Sequence, residues 1–554
     1  MTCKMSSLLL ATTAFALVVS IAPTPVRAAT KTEMAMMQKL QEQISALQKE
    51  IDQLKQAQAK SGTTAPTTAS PATTAAASTP VQTPVAVATA PAPAATTVTE
   101  PTADPRKSGS IGDKLQASIE ENTGVKLSLG GYFDMTSIYR QQNQNADSAS
   151  NWNASIPYAN SREYRQSEFR ASARNTRISL TATAKPDEEN TLGAFVETDF
   201  AGVGTTSSAN QTSNYTPRLR QAFATYENSD LGLHILGGQT FSLTTMGTEG
   251  IQPRKEALPM VLDSGYLPGY VYTRDAQMRV AADFANKKVW AALSVEAPNT
   301  NYGGIAVPSN VNSESGASLN GASATSTAAA NLVANDIAPD IVAKMAFDPG
   351  FGHYEIYGLT RFFHDRTVAT NGVGGHDNEA LGLGGGTSAY FKVVPKKMEV
   401  VASFLGGKGI GRYATAQLPD YAFTPSGDIK PLTEIAAYAG IIGHPTPTWD
   451  LFLYSGIEQT FRENFTGTTY GYGNFDRNND GCYVEGGSCS AQTQRVWQVT
   501  GGAWKSIYKG NFGNVQLGLQ SSITRKDAFS GLNDKAPHAY ESVTLTSFRY
   551  TPKF

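Results

Sequence analysis

Arginine and carboxylate side chains set at alternating positions are the groups of this 554-residue chain most suited to chemistry. Arg177 and Arg279 fall on the polar face of alternating segments, Arg220 and Arg274 near the ends of two others, and Arg361 within another. Arg254 and Lys255 stand together, followed by Glu256 and Asp263, in the Gly- and Pro-rich stretch from Thr240 to Tyr270, which follows a GGQ turn and does not alternate. The planar guanidinium fork grips a carboxylate through two parallel hydrogen bonds, so the chemistry expected of such a set is reversible capture of small anions. Glu197 and Asp199, two apart in GAFVETDF, would share a face and oppose the arginines, giving a transverse field rather than a uniformly basic ring.

Catalysis needs a nucleophile and a base held together, and no such constellation is legible. There is no G-x-S-x-G or H-E-x-x-H, and His234 stands alone on a polar strand face. The 6 His are scattered, so neither a metal nor a cofactor is expected, and a net charge of -2 points to no nucleic-acid partner. Of the 3 Cys, Cys3 belongs to the leader described below. Cys482 and Cys489, set among Gly481, Gly486 and Gly487, are expected to close a loop disulfide in an oxidising compartment.

The elements that must position these groups are strands. From Val125 the sequence repeats one pattern: alternating runs joined in pairs by tight turns and separated by long polar loops. Val125 to Met135 sets Leu127, Leu129, Phe133 and Met135 against Lys126, Ser128, Tyr132 and Asp134. Arg177 to Ala184 alternates likewise, and hairpins turn at Asn286-Lys287, at Asp348-Pro349-Gly350 and between Gly510 and Gly513. The final segment, ESVTLTSFRYTPKF, places Thr546, Phe548, Tyr550, Pro552 and Phe554 on one face. A greasy face outside, a polar face inside and loops of alternating length predict an all-β, antiparallel transmembrane barrel of about 16 strands. Closure leaves no unpaired edge in lipid. High Gly and Tyr with 17% charged residues fit this.

Three segments precede the barrel. Lys4 and the apolar run Leu8 to Ile21, with Val26-Arg27-Ala28 after it, read as a signal peptide over 1–28; the run is shorter than the roughly 20 residues of a membrane span. Residues 31–60 carry heptads with Met37, Ile44 and Ile51 at a and Leu40, Leu47 and Leu54 at d, a coiled coil of roughly 45 Å. Residues 61–124 are an Ala/Pro/Thr-rich linker and lead-in without apolar periodicity. The barrel domain is expected over 125–554.

This order of parts, together with LGGYFDMTSIYR, ARNTRISLTATAK, GAFVETDF, RLRQAFATY, ILGGQTFS, AQMRVAADF and TLTSFRYTPKF, resembles the DcaP-like outer-membrane porins. The resemblance implies a homotrimer in the lipid of the bacterial outer membrane, a periplasmic coiled coil, and passive uptake of small anionic solutes such as dicarboxylates. The heptads alone favour two strands; the larger domain is expected to set the oligomer. The coiled coil also allows a contact with peptidoglycan, and so a structural, wall-linked role. Within transport the alternative is a sugar-specific porin, for which Trp290, Tyr357, Tyr390 and Phe391 would supply rings.

Overall fold

The computed structural model describes residues 120–121, 123–147, 156–202, 213, 215–262, 267–301, 305–312, 336–369, 371 and 373–553, together with residue 49. The segments read as signal peptide, coiled coil (Met37, Leu40, Ile44, Leu47, Ile51, Leu54) and linker lie outside the described residues, as do Asp263 and Phe554.

Residues that alternate in sequence alternate in space. In the hairpin turning at Asn286-Lys287, Met278 is 64% exposed beside Arg279 at 6%, and Leu293 is 53% exposed beside Ser294 at 1%. The greasy side faces out and the polar side in, the reverse of a water-soluble protein and the arrangement lipid requires. The left-handed residues Ala285, Asn286 and Lys287 make that turn.

Among the described residues, eighteen strand segments form one antiparallel sheet. Two pairs of segments share a position in the wall, leaving sixteen barrel strands. They are β1 (Val125–Arg140), β2 (Glu168–Ser172 with Arg177–Ala184), β3 (Asn190–Gly202), β4 (Thr216–Asn228), β5 (Leu233–Phe241), β6 (Arg274–Phe284), β7 (Val289–Glu296) and β8 (Asp340–Phe347, continued by Val311–Asn312). There follow β9 (Gly352–Thr367), β10 (His376–Val394), β11 (Met398–Lys408), β12 (Thr433–Thr446), β13 (Trp449–Thr460), β14 (Thr493–Gly510), β15 (Gly513–Ala528) and β16 (His538–Pro552). Each pairs with the next, and β16 returns to β1 from Phe133↔Tyr550 to Arg140↔Val543. The sheet therefore has no free edge. Gly237-Gly238-Gln239, read from sequence as a turn, lies within β5, where Gly238 at φ 134 kinks the strand.

Short turns gather at one end with the start of β1 and the end of β16, and long loops at the other. Phe284, Phe351, Trp449, Tyr508 and Phe512 are exposed at the short-turn end, where aromatic side chains settle at a membrane interface. Two long loops fold into the lumen: residues 242–262 and 267–273 between β5 and β6, and residues 409–432 between β11 and β12. Glycines make the room. A Cβ on Gly386 of β10 would meet the Tyr357 ring at 2.2 Å, and one on Gly269 (φ +85) would meet the Ala437 carbonyl oxygen at 2.0 Å.

Candidate functional site

The loop between β5 and β6 is fastened to the wall by its own backbone. Glu296 accepts from the Leu243 N–H (2.8 Å), Glu355 from Gly247 (3.0 Å), Asp348 from Gly250 (3.0 Å), Gln520 from Leu262 and Glu458 from Gly269 (2.7 Å). These acceptors stand on β7, β9, the turn after β8, β15 and β13, so the loop crosses the lumen. Inward-pointing strand side chains thus satisfy amides that the irregular loop would otherwise bury unpaired, an omission costing about 1–3 kcal/mol each. The second loop joins the first through a bridge between Val271 and Ala414 and a bond from the Tyr272 N–H to the Tyr413 carbonyl.

Beneath the second loop lies an ionic knot. Arg361 pairs with Asp340 (3.1 Å) and Asp420 (2.7 Å), Arg412 pairs with Asp275 (3.0 Å), and the Tyr413 hydroxyl donates to Asp340 (2.8 Å). Burial pushes the Asp420 carboxyl up, and the Arg361 guanidinium works against that shift. Arg361 is wholly buried here. Residues 409–432 cover it, with Gly409, Tyr413 and Asp420 against its guanidinium. Arg279 is likewise held under the first loop, donating to the Phe241 carbonyl (2.7 Å) and Gln277 (2.8 Å).

The other side of the first loop is open. Between its residues Leu258–Leu262, with Tyr270 and Tyr272, and the wall lies a cavity of about 210 Å³. Arg177, Arg220, Arg274 and Arg549 converge on it from β2, β4, β6 and β16. Each is braced. Arg220 pairs with Glu197 (2.7 Å) and Asp199 (2.8 Å), and Asp199 also takes Arg218 (2.7 Å). Arg549 pairs with Asp134 (2.7 Å) and lies over the rings of Tyr132 (4.3 Å) and Trp504 (4.4 Å). Arg274 lies 5.6 Å from both Phe241 and Tyr272, and Arg177 lies 5.3 Å from Tyr132. Cations on ring faces are held in place at little electrostatic cost to their exposed edges. Among the described residues, five guanidinium groups gather here around the carboxylates of Asp134, Glu197 and Asp199.

Of the residues singled out from sequence, Arg177, Arg220 and Arg274 meet at this cavity, with Glu197 and Asp199 behind them. Arg254 (φ 67) reaches the same wall nearer the short turns, donating to Thr181 (3.2 Å) and lying 4.4 Å over Phe195. Thr181 is four residues beyond Arg177, about 13 Å along the strand. Lys255 stays on the loop, 3.6 Å from Glu249. His234 contacts Asp283 (2.9 Å) and the Trp290 ring. Cys482 and Cys489 form a disulfide in the loop between β13 and β14. Among the described residues no cluster of metal-ligating side chains occurs. Arg549, Tyr132 and Trp504 were not singled out. The alternation of the last strand gives the phase of Arg549, but only closure of β16 on β1 brings it to Tyr132.

No family model matches the chain, and no curated protein matches it. Among solved structures it is similar to the outer membrane channel DcaP of Acinetobacter baumannii, at 18% identity and a TM-score of 0.54 over 77% of this chain and 97% of that one. The fold is that of an outer-membrane porin. An anion-selective porin from Comamonas acidovorans aligns at 10% identity and a TM-score of 0.40, over 77% of this chain and 99% of that one. Salmonella typhi OmpF aligns at 10% and 0.41, over 78% and 98%. The porin fold, with strand faces inverted relative to a soluble sheet, makes the space between loop and wall the candidate permeation site.

Proposed function

We propose that this porin is a passive channel for small hydrophilic anions, of the dicarboxylate kind, and that solute passes the cavity bounded by Arg177, Arg220, Arg274 and Arg549. The convergence of four arginines from four strands on one cavity carries this reading. A porin selects by the charge and width of its narrowest section, and guanidinium groups gathered beside a low-dielectric wall attract anions to it. The Arg361 knot, buried under residues 409–432, takes no part in this path. Arg254 extends it toward the short turns. We place the chain in the bacterial outer membrane as a homotrimer, with residues 31–60 forming a periplasmic coiled coil, after cleavage of a signal peptide.

Sugar transport is the second reading, favoured by Tyr132, Phe241, Tyr270, Tyr272 and Trp504 at the same cavity. The arginines occupy faces of four of these rings, which weighs against stacking of sugars. Trp290 and Tyr357 are buried. Competition decides: single-channel current in planar bilayers should be blocked by succinate at lower concentration than by maltose. Block by maltose alone would favour the sugar reading.

A further inference from the structure

The short-turn end of the barrel is unevenly charged. The turns after β2 and β4 carry Asp187, Glu188, Glu189, Glu227 and Asp230 against Lys185. On the other side, the consecutive turns joining β10 to β11, β12 to β13 and β14 to β15 are flanked by Lys392, Lys396, Lys397, Lys505 and Lys509. The carboxylates of that sector, Glu399 and Asp450, are engaged by His444 at 3.9 and 2.6 Å. None of the five lysines makes an ion pair with a described residue.

The outer face of the sector is built for an interface. Trp449 and Lys505 are register partners on β13 and β14. Their neighbours in the strands, Asp450 and Trp504, point inward, so the pair points out. The Lys505 ammonium donates to the Thr448 hydroxyl at 2.8 Å and lies 5.0 Å from the Trp449 ring, leaving donor capacity at the turn. Leu451 and Leu453 continue the same face as exposed apolar surface, and Tyr508 and Phe512 flank it.

We propose that this sector is a binding site for the headgroup of an anionic phospholipid in the leaflet at the short-turn end. The phosphodiester sits between the Lys505 ammonium, which reaches Thr448 in the turn joining β12 to β13, and Lys396 and Lys397 of the next turn, joining β10 to β11; the acyl chains run along the apolar face below Trp449. Successive hairpin turns lie about 10 Å apart, two strand spacings, so long lysine side chains from adjacent turns can meet on one headgroup. Lipid is the occupant because the cationic row is continuous with apolar wall: a soluble polyanion brings no chain to cover Leu451 and Leu453. Basic side chains at such a boundary recruit anionic lipid. The inference rests on the porin fold and not on the solute, so a channel without anion preference would leave it standing.

Native mass spectrometry of the full chain in nonionic detergent, titrated with dihexanoylphosphatidylglycerol, reads the binding. Phosphatidylglycerol should bind at least tenfold more tightly than the matched phosphatidylcholine. The double variant Lys505→Gln/Lys396→Gln should weaken it about fivefold per lysine. Lys505→Arg/Lys396→Arg should retain it, as should Lys287→Gln/Lys288→Gln on the turn between β6 and β7. Equal binding of the two lipids overturns the proposal. So does displacement by inorganic phosphate at equal concentration, which would mark a free-anion site, or an equal loss from Lys287→Gln/Lys288→Gln, which would mark unspecific charge.

Discussion

Asp134 and Arg549 stand directly opposite each other on the first and last strands, and their side chains meet at 2.7 Å. The barrel thus closes on an ion pair at the edge of its cavity, with Ser547 donating to the same carboxylate at 2.9 Å. Closure and the cavity share residues, so changes at the seam should have effects on both stability and conduction.

Replacing Arg549 by Gln removes a cation from the cavity and leaves the buried Asp134 carboxylate without its guanidinium. Anion preference should fall, and stability should drop by about 1–3 kcal/mol. Asp134→Asn should instead raise anion preference by releasing the guanidinium. Reversal potentials of the two variants moving in the same direction would contradict this arrangement.

Arg254 and Lys255 differ in what they touch: Arg254 crosses to Thr181 and Phe195, while Lys255 pairs within the loop. Arg254→Gln should therefore lower single-channel conductance in dilute salt, where screening is weakest. Lys255→Gln should change it less. Equal effects would mean that loop charge as a whole, not the placement of Arg254, governs entry.

The Arg361 knot is structural. Arg361→Met leaves Asp340 and Asp420 buried without their partner and should cost about 3–5 kcal/mol. It should leave ion selectivity unchanged. Heat stability of the folded barrel on semi-native gels and reversal potential on the surviving protein report the two parts. A selectivity change larger than that of Arg177→Gln would place solute beside the knot.

The disulfide holds the rim. The Asn160 N–H donates to the Cys482 carbonyl (3.0 Å), the Gly486 N–H to the Asn160 carbonyl (2.8 Å), and the Asn160 amide to Gly487 (2.9 Å). The loop after β1 therefore leans on the bridged loop. Cys482→Ser should increase proteolysis in both loops while the barrel still assembles. Failure to assemble would show that the bridge acts beyond the rim.

Much of the fold was legible because one face of each strand meets lipid and the other water. Met278 against Arg279 and Leu519 against Gln520 state this in the sequence. Turn positions followed from left-handed residues such as Asn286 and Gly350. The site was only partly legible. Arg177, Arg220 and Arg274 announce themselves by strand phase, but sequence does not order residues across strands. It therefore did not separate them from Arg361, which the loop of residues 409–432 seals, nor join Arg549 to Tyr132 across the seam. The carboxylates that staple the inward loop look, in sequence, like any lumen residue.

The four-arginine cavity is proposed to set the sign of the ions that pass. Reversal potential under a tenfold KCl gradient tests it most directly, comparing the natural protein with Arg177→Gln/Arg274→Gln, which spares the Arg220 and Arg549 ion pairs. The natural channel should prefer chloride, and the double variant should lose most of that preference at nearly unchanged single-channel conductance in molar salt. A natural channel that prefers potassium, or a double variant with an unaltered reversal potential, would contradict the account.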